Sequence, residues 1–312
     1  MKRIDLSWQF VIWGLKLHTH THSYVWLAFY RALRHLGART LWLDSSDSLS
    51  GLDLGHTVFI TSDMGDTGIP LSEDCFYVMH NCGDPKYAPL LEKRRCLYLQ
   101  YFNGRTPGQG GERLDEYTYF DGRGLHQPWA TDLLPHEIDA NKPAVAWNRD
   151  SRIINWVGTA TIQGRDRDRF SNLTELGGFE RACSENGIRF VRQGLSQGQK
   201  VSPEDHIRMV KESYMAPALV GGWQQETGYV PCRVFKNISY GQFGITNCPQ
   251  VQQLFGGRLA FSPDSYRLFY EARERLESAT LAELHAQMDE VRDKHTYINR
   301  IQRILECVNR VI

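Results

Sequence analysis

Arg233 lies two residues after Pro231 in the run Gly228-Tyr-Val-Pro-Cys-Arg-Val-Phe-Lys-Asn-Ile-Ser-Tyr-Gly241. A turn holding Gly228 and Pro231 predicts a helix start, and Gly241 stands where a helix stops. The first turn of a helix offers unpaired N–H groups and the positive end of its dipole, and Arg233 adds a cation there. Those parts together make an anion pocket. On this stretch alone, Arg233 and Lys236 could equally be surface charges on an ordinary helix.

A second group able to do chemistry is Leu17-His-Thr-His-Thr-His22. In an extended loop His18, His20 and His22 point to one side, which suits a metal site or a proton acceptor. The metal reading resembles the His-x-His of amidohydrolase-type barrels, which needs further ligands on later strand ends and an eightfold strand–helix alternation. The helical pattern from 265 to 312 leaves no room for closing strands. As a general base, an imidazole of ordinary pKa, about 6.5, can take a proton from a hydroxyl at neutral pH. His20 is the first candidate for that base and His22 the second, and either could instead cap the following helix.

The elements that must position these groups are legible as short apolar runs. Phe10–Leu15, Thr40–Asp44, Thr57–Thr61, Cys75–Met79 and Cys96–Tyr101 predict strands, with a helix from Ser23 to Leu36 capped by Ser23 and stopped by Gly37. Their two-sided apolar character suits a parallel sheet covered on both faces, of the doubly wound α/β kind. Ligands in such sheets sit beyond the carboxyl ends of the strands. That rule selects the loops carrying His18–His22, Asp44–Asp47, Asp63 and His80.

The segment 103–119 is Gly-rich and polar, a loop or an insert. Asn141–Pro143 is the expected crossover. The pattern then restarts with a strand at Ile153–Gly158, a polar loop carrying Thr159 and Arg165, and a helix around 170–186. Strands at Ile188–Val191, Ala216–Val220 and Phe243–Thr246 follow, with a helix over 203–213 and helices from Ser265 onward. Gly158, ending a strand before a polar loop, lets the backbone approach a phosphate closely. Trp223 and Tyr229 flank a Gly-rich turn and could stack on a base or sugar.

Length and composition bound the rest. At 312 residues the chain predicts two domains of about 150 residues each. Thirty-six basic and thirty-six acidic residues cancel, which argues against nucleic acid held by bulk charge. Seven cysteines at irregular spacing form no disulfide framework and fit a reducing compartment. No run approaches the roughly 18 apolar residues of a membrane span. The expectation is a cytoplasmic protein without a transmembrane segment.

The region from about 150 to 312 resembles the donor half of GT-B glycosyltransferases of the group-1-like set that includes spore-maturation-type glycosyltransferases. That family carries Gly-x-x-Pro-x-Arg-x-Phe-Glu and a distal Gly, then a "leu-phe-gly" region and a closing His-Thr-Tyr-x-x-Arg. Here these match Gly228, Pro231, Arg233, Phe235 and Gly241, then Leu254-Phe-Gly-Gly257, then His295-Thr-Tyr-Ile-Asn-Arg300. Lys236 departs from the family's usual Glu, which holds the nucleotide ribose, and Gly228 stands where a second Glu is common.

The resemblance implies a GT-B fold, two Rossmann-like domains facing each other across a cleft. Residues 1–143 would form the acceptor domain, 144–293 the donor domain, and 294–312 a helix packing back on the first. It implies transfer of a sugar from a nucleotide donor of UDP, GDP or dTDP type to a glycan, lipid-linked or small hydroxyl acceptor, with no metal and no separate cofactor. Donor contacts are then expected from Gly158, Thr159, Arg165, Tyr229, Val230, Arg233, Lys236 and Asn237, and acceptor contacts from His18, Asp63 and His80. His20 or His22 would be the base if configuration inverts; if it is retained they bind acceptor or phosphate. The alternatives are a nucleotide-sugar binder without turnover and a GT-B-fold epimerase.

Overall fold

The computed structural model describes residues 3–17, 22–62, 66, 68–80, 85, 95–101, 112–114, 117–145, 147–160, 171–194 and 200–312. The chain divides into two compact units, Met1–Pro128 with Tyr297–Ile312, and Trp129–Thr296.

The first unit is built on a sheet. In chain order its elements are β1 (Gln9–Trp13), α1 (Ser23–His35), β2 (Arg39–Leu43), β3 (Thr57–Ser62), β4 (Phe76–His80), β5 (Cys96–Gln100), β6 (Glu112–Leu114), β7 (Tyr117–Phe120) and β8 (Gly124–His126). The strand order is β2-β1-β3-β4-β5-β8-β7-β6, parallel through β8 and antiparallel for the last two. The five expected strands are therefore present and parallel. The stretch 103–119, open between loop and insert in the sequence, includes β6 and the start of β7 instead, and these lengthen the sheet edge.

Alternation along the strands sends Val11, Trp13, Phe59, Tyr77, Met79 and Cys96 to one apolar face. Phe10, Ile12, Val58, Ile60, Val78 and Leu99 take the other, and all are buried. Both faces being apolar is what makes each strand read as a continuous run. The helix α1 buries Val25, Trp26, Ala28, Phe29, Ala32 and Leu33. It packs against the closing helix Tyr297–Val311, with the Phe29 and Tyr297 rings 4.6 Å apart. His22, not Ser23, is the N-cap of α1; Ser23 is already helical and its hydroxyl donates to the Lys16 carbonyl at 2.8 Å.

The second unit holds α2 (Pro135–Asn141), a 3₁₀ turn (Lys142–Ala144), β9 (Ile153–Val157), α3 (Leu173–Glu185), β10 (Arg189–Gln193), α4 (Pro203–Glu212), β11 (Pro217–Ala218), α5 (Gly222–Glu226), α6 (Cys232–Ser239), β12 (Ile245–Thr246), α7 (Pro249–Leu254), β13 (Ala260–Phe261), α8 (Ser265–Ser278) and α9 (Leu281–Lys294). β9 pairs β10 in parallel, and β11, β12 and β13 form a second parallel ladder. Side chains and turns stand in for a ladder between the two. Tyr214 N–H donates to the Ile153 carbonyl at 2.8 Å, and Asn155 N–H to the Ser213 hydroxyl at 2.9 Å. Pro217, with no N–H, helps to explain why β11 is so short. Of the expected strand Phe243–Thr246 only the last two residues join a ladder, and Phe243 is buried beside them.

The boundaries fall after Pro128 and after Thr296, not at 143/144 and 293/294. The reason lies in the side chains of residues 129–141. Leu133 and Ile138 belong to the second unit's core, the Thr131 and Ser239 hydroxyls are hydrogen-bonded at 2.7 Å, and Thr131 bridges Thr296. The matched closing motif has structural duties at the same point. His295 stacks on Phe235 at 4.6 Å, and fully buried Arg300 donates to the Pro128 carbonyl at 2.8 Å and the Tyr117 hydroxyl at 2.6 Å.

Gly241 ends α6 as its position suggests. Its φ is +100°, its N–H donates to the Ile238 carbonyl at 2.9 Å, and a Cβ there would meet Val145 Cγ2 at 2.8 Å. Gly241→Ala is expected to cost about 1–3 kcal/mol, from backbone strain and this contact. Urea unfolding checks it; an unchanged midpoint would show that the turn relaxes freely.

Candidate functional site

The turn after α5 delivers the chain to α6 through Pro231, which is extended at φ −71° and ψ 144°. The amides of Cys232 and Arg233 therefore begin the helix with no acceptor among the described residues. Arg233 reaches from this first turn to the carboxyl ends of two strands. Its Nε donates to the Val157 carbonyl at the end of β9, and its Nη1 to the Leu219 carbonyl just past β11, both at 3.0 Å. Its guanidinium carbon lies 4.2 Å from the Trp156 ring centroid.

These bonds use two of the five N–H groups of a guanidinium. The other three, two on Nη2 and one on Nη1, have no partner among the described residues. Burial draws the Arg233 pKa down from its ordinary value, with Cys232 and Tyr229 opposing. The group remains a cation, since an arginine pKa starts so high.

Gly158 follows β9 directly, and its N–H donates to the Gln193 carbonyl at 2.9 Å. A Cβ on Gly158 would stand 2.0 Å from Arg233 Nη2. Thr159 is next in the chain, and its carbonyl accepts from Asn172 Nδ2 at 3.3 Å. Tyr229 and Val230 are half-buried against the core beside α6. The Tyr229 hydroxyl pKa is raised by burial and by neighbouring Cys232. Gly158, Thr159, Tyr229, Val230 and Arg233 are thus placed along the start of α6 and the end of β9. Arg165 lies outside the described residues.

Lys236 and Asn237 are placed differently. Lys236 is buried, and its ammonium pairs with the Asp132 carboxylate at 3.0 Å. The Tyr240 hydroxyl donates to the same carboxylate at 2.6 Å. Burial works to raise the Asp132 pKa, but Lys236 and Tyr240 together hold it below the ordinary carboxylate value. His206, its ring 5.5 Å from that of Tyr240, is kept neutral by burial and by Lys236, its pKa lowered to about 3. Asn237 Nδ2 donates to the Ala216 carbonyl at 2.8 Å and so ties α6 to the chain entering β11. Asp132 carried no sequence signal, because its partner is more than a hundred residues away and no local spacing links them.

In the first unit the groups expected at the strand ends are only partly described. His18, His20 and Asp63 lie outside the described residues. His80 ends β4, is 2% exposed, and donates through Nδ1 to the Leu99 carbonyl at 3.2 Å. Its ring lies 6.0 Å from His22 and 5.0 Å from Tyr101. Nearby polar loops are committed to one another: Lys16 pairs with Asp47 at 2.6 Å, and Asp66 accepts from the Ser45 and Gly68 amides. Among the described residues no group of three or more His, Cys, Asp or Glu side chains could hold a metal ion. None of the described helices is long and apolar enough to cross a membrane.

Burial lowers the His80 pKa from 6.5 to about 4, against the effect of the Leu99 bond. Above pH 6.5 the ring is neutral in both folded and unfolded chains and costs nothing. Between pH 6.5 and 4 the unfolded chain binds a proton that the folded ring refuses, so stability falls as pH falls. The slope is about 1.4 kcal/mol per pH unit. His80→Phe is expected to remove that share of the acid limb when unfolding is measured from pH 7 to 4.5. An unaltered limb would assign it to other groups, His126 among them, whose pKa burial also lowers to about 4.

The sequence matches no protein-family model and no curated protein. Among solved structures, the chain is similar to an alpha,alpha-trehalose-phosphate synthase (UDP-forming) from Burkholderia vietnamiensis. The TM-score is 0.46 and the identity 11%, over 91% of this chain and 76% of that one.

Proposed function

We propose that the protein is a glycosyltransferase of the GT-B type, moving a sugar from a nucleotide donor to a hydroxyl acceptor. The observation that carries this reading is Arg233. A cation fixed at the carboxyl ends of β9 and β11 has three N–H groups without a partner among the described residues, beside two amides at the start of α6 that likewise have none there. Carboxyl strand ends are where α/β sheets bind their ligands, and unpaired helix amides with an arginine suit a diphosphate. The sequence resemblance over the second half of the chain supports the same reading.

In this account Gly158, Thr159, Tyr229, Val230, Arg233 and Arg165 face the nucleotide sugar. As the glycosidic bond to the diphosphate breaks, negative charge grows on the leaving oxygens, and fixed donors stabilise it without a metal. The acceptor hydroxyl forms the new bond at the anomeric carbon and loses its proton to His20 or His22. His18, Asp63 and His80 would help to hold the acceptor. The second reading, a binder without turnover, is favoured by one observation: the Lys236 charge is already offset by Asp132.

A thermal-shift screen with UDP, GDP and dTDP tests the binding step, followed by turnover on a panel of sugar nucleotides. One nucleotide is expected to raise the melting point, by an amount that grows with its concentration over Kd. No shift with any of the three would overturn the proposal. Binding without transfer or hydrolysis would favour the binder.

A further inference from the structure

We infer that Trp156 and Gly158 are positioning residues for Arg233, holding its guanidinium as a fixed fork. Gly158 acts by leaving room for that side chain. The ligand arm of this inference rests on the proposed nucleotide reading; the structural arm does not.

Three observations meet at one point. Trp156 lies under the guanidinium at 4.2 Å, a distance at which the ring face attracts the cation. The Val157 and Leu219 carbonyls fix its rotation from the side through Nε and Nη1. Gly158 supplies the space, because a Cβ there would stand 2.0 Å from Nη2 and 3.0 Å from the guanidinium carbon. The backbone at Gly158 is not among those with positive φ, so alanine fits it without backbone strain. The obstacle to alanine is thus mainly the Arg233 tip itself, with the edge of the Trp156 ring, at 3.0 Å, the other near neighbour. A glycine kept for close backbone approach to a phosphate would instead have open space where its Cβ would go.

The arrangement separates two jobs that one arginine rarely does together. Two N–H groups hold the protein's own strand ends, and the three on Nη1 and Nη2 stay directed by the ring beneath and the missing Cβ beside them. A fork immobilised before the ligand arrives loses less freedom on binding. Alanine at 158 would push Nη2 aside while leaving the charge in place, so its effect would be on direction and not on net charge.

The experiment is a mutant cycle with a structural readout. Calorimetry with the tightest-binding of UDP, GDP and dTDP compares wild type, Gly158→Ala, Arg233→Ala and the double variant. Gly158→Ala is expected to weaken binding about tenfold in the wild-type background and less than about twofold when Arg233 is already alanine, since one interaction cannot be lost twice. Equal losses in both backgrounds would overturn the inference and return Gly158 to a backbone role. Trp156→Leu is expected to weaken binding, and Trp156→Phe to restore most of it by keeping a ring face.

The second readout needs no ligand. Arginine-labelled protein should show slowly exchanging Nε–H groups, that of buried Arg300 on the Pro128 carbonyl among them, and the Arg233 signal is assigned by its loss in Arg233→Lys. Gly158→Ala should speed its exchange about tenfold or more as the fork loosens. Unchanged exchange would sink the inference even if nucleotides bind. Faster exchange with no binding of any of the three nucleotides would keep the positioning role and reject the nucleotide reading.

Discussion

Arg233→Ala is expected to weaken nucleoside-diphosphate binding by about tenfold to a hundredfold, the worth of a charged hydrogen-bonding group. It also costs stability. The Val157 and Leu219 carbonyls each lose a donor, for a total of about 1–3 kcal/mol. The two effects separate when binding is measured by calorimetry well below the variant's melting point, with folding confirmed by circular dichroism. Arg233→Lys is the informative companion. It keeps a charge but has no planar fork, so it cannot satisfy both carbonyls and a phosphate at once. An intermediate affinity is expected from it. Full affinity in Arg233→Ala would make this side chain a staple between two strand ends and no more.

The strands of the first unit were legible because each is buried on both faces and bounded by polar loops. Val11 and Ile12 point to opposite sides of the sheet, and both are fully buried. Such a run has no competing periodicity, so strand is the only economical reading. The edge β6–β7 was hidden for the opposite reason. Its polar, Gly-rich surroundings look like loop, and its pairing is set by neighbours in the sheet. Gly241 and Pro231 marked both ends of α6, Gly241 because it takes a positive φ that few other residues adopt and Pro231 because its ring fixes φ and it has no N–H to continue a preceding helix. What spacing could not show was the destination of a long side chain. Lys236 and Arg233 are both cations on α6, three residues apart, yet one turns to Asp132 and the other to the strand ends. The unit boundary was misplaced for the same reason, because the contacts that bind residues 129–141 to the second unit are distant in sequence.

The Asp132–Lys236 pair carries the other large prediction. The two side chains are 11% and 7% exposed, so neither ion is well solvated. Removing one partner leaves the other charge buried, and either Asp132→Ala or Lys236→Met is expected to cost about 3–5 kcal/mol. Removing both is a different case. Asp132→Leu with Lys236→Met leaves no stranded charge, and such apolar replacements are often neutral or better. The Tyr240 hydroxyl then lacks its Asp132 acceptor. The double variant is therefore expected to recover most of what each single variant loses in urea unfolding at pH 7. The pH dependence gives an independent check. The folded pKa of Asp132 lies below its ordinary value of 3.8. The stability it contributes is therefore complete above that value and lost as pH falls through the folded pKa, and that share of the acid limb should vanish in both Asp132 variants. If the single and double variants lose the same stability, the pair is not coupled. The segment from 129 to 141 would then be held in the second unit by its other contacts, among them Thr131, Leu133, Ile138, Asp139 and Asn141.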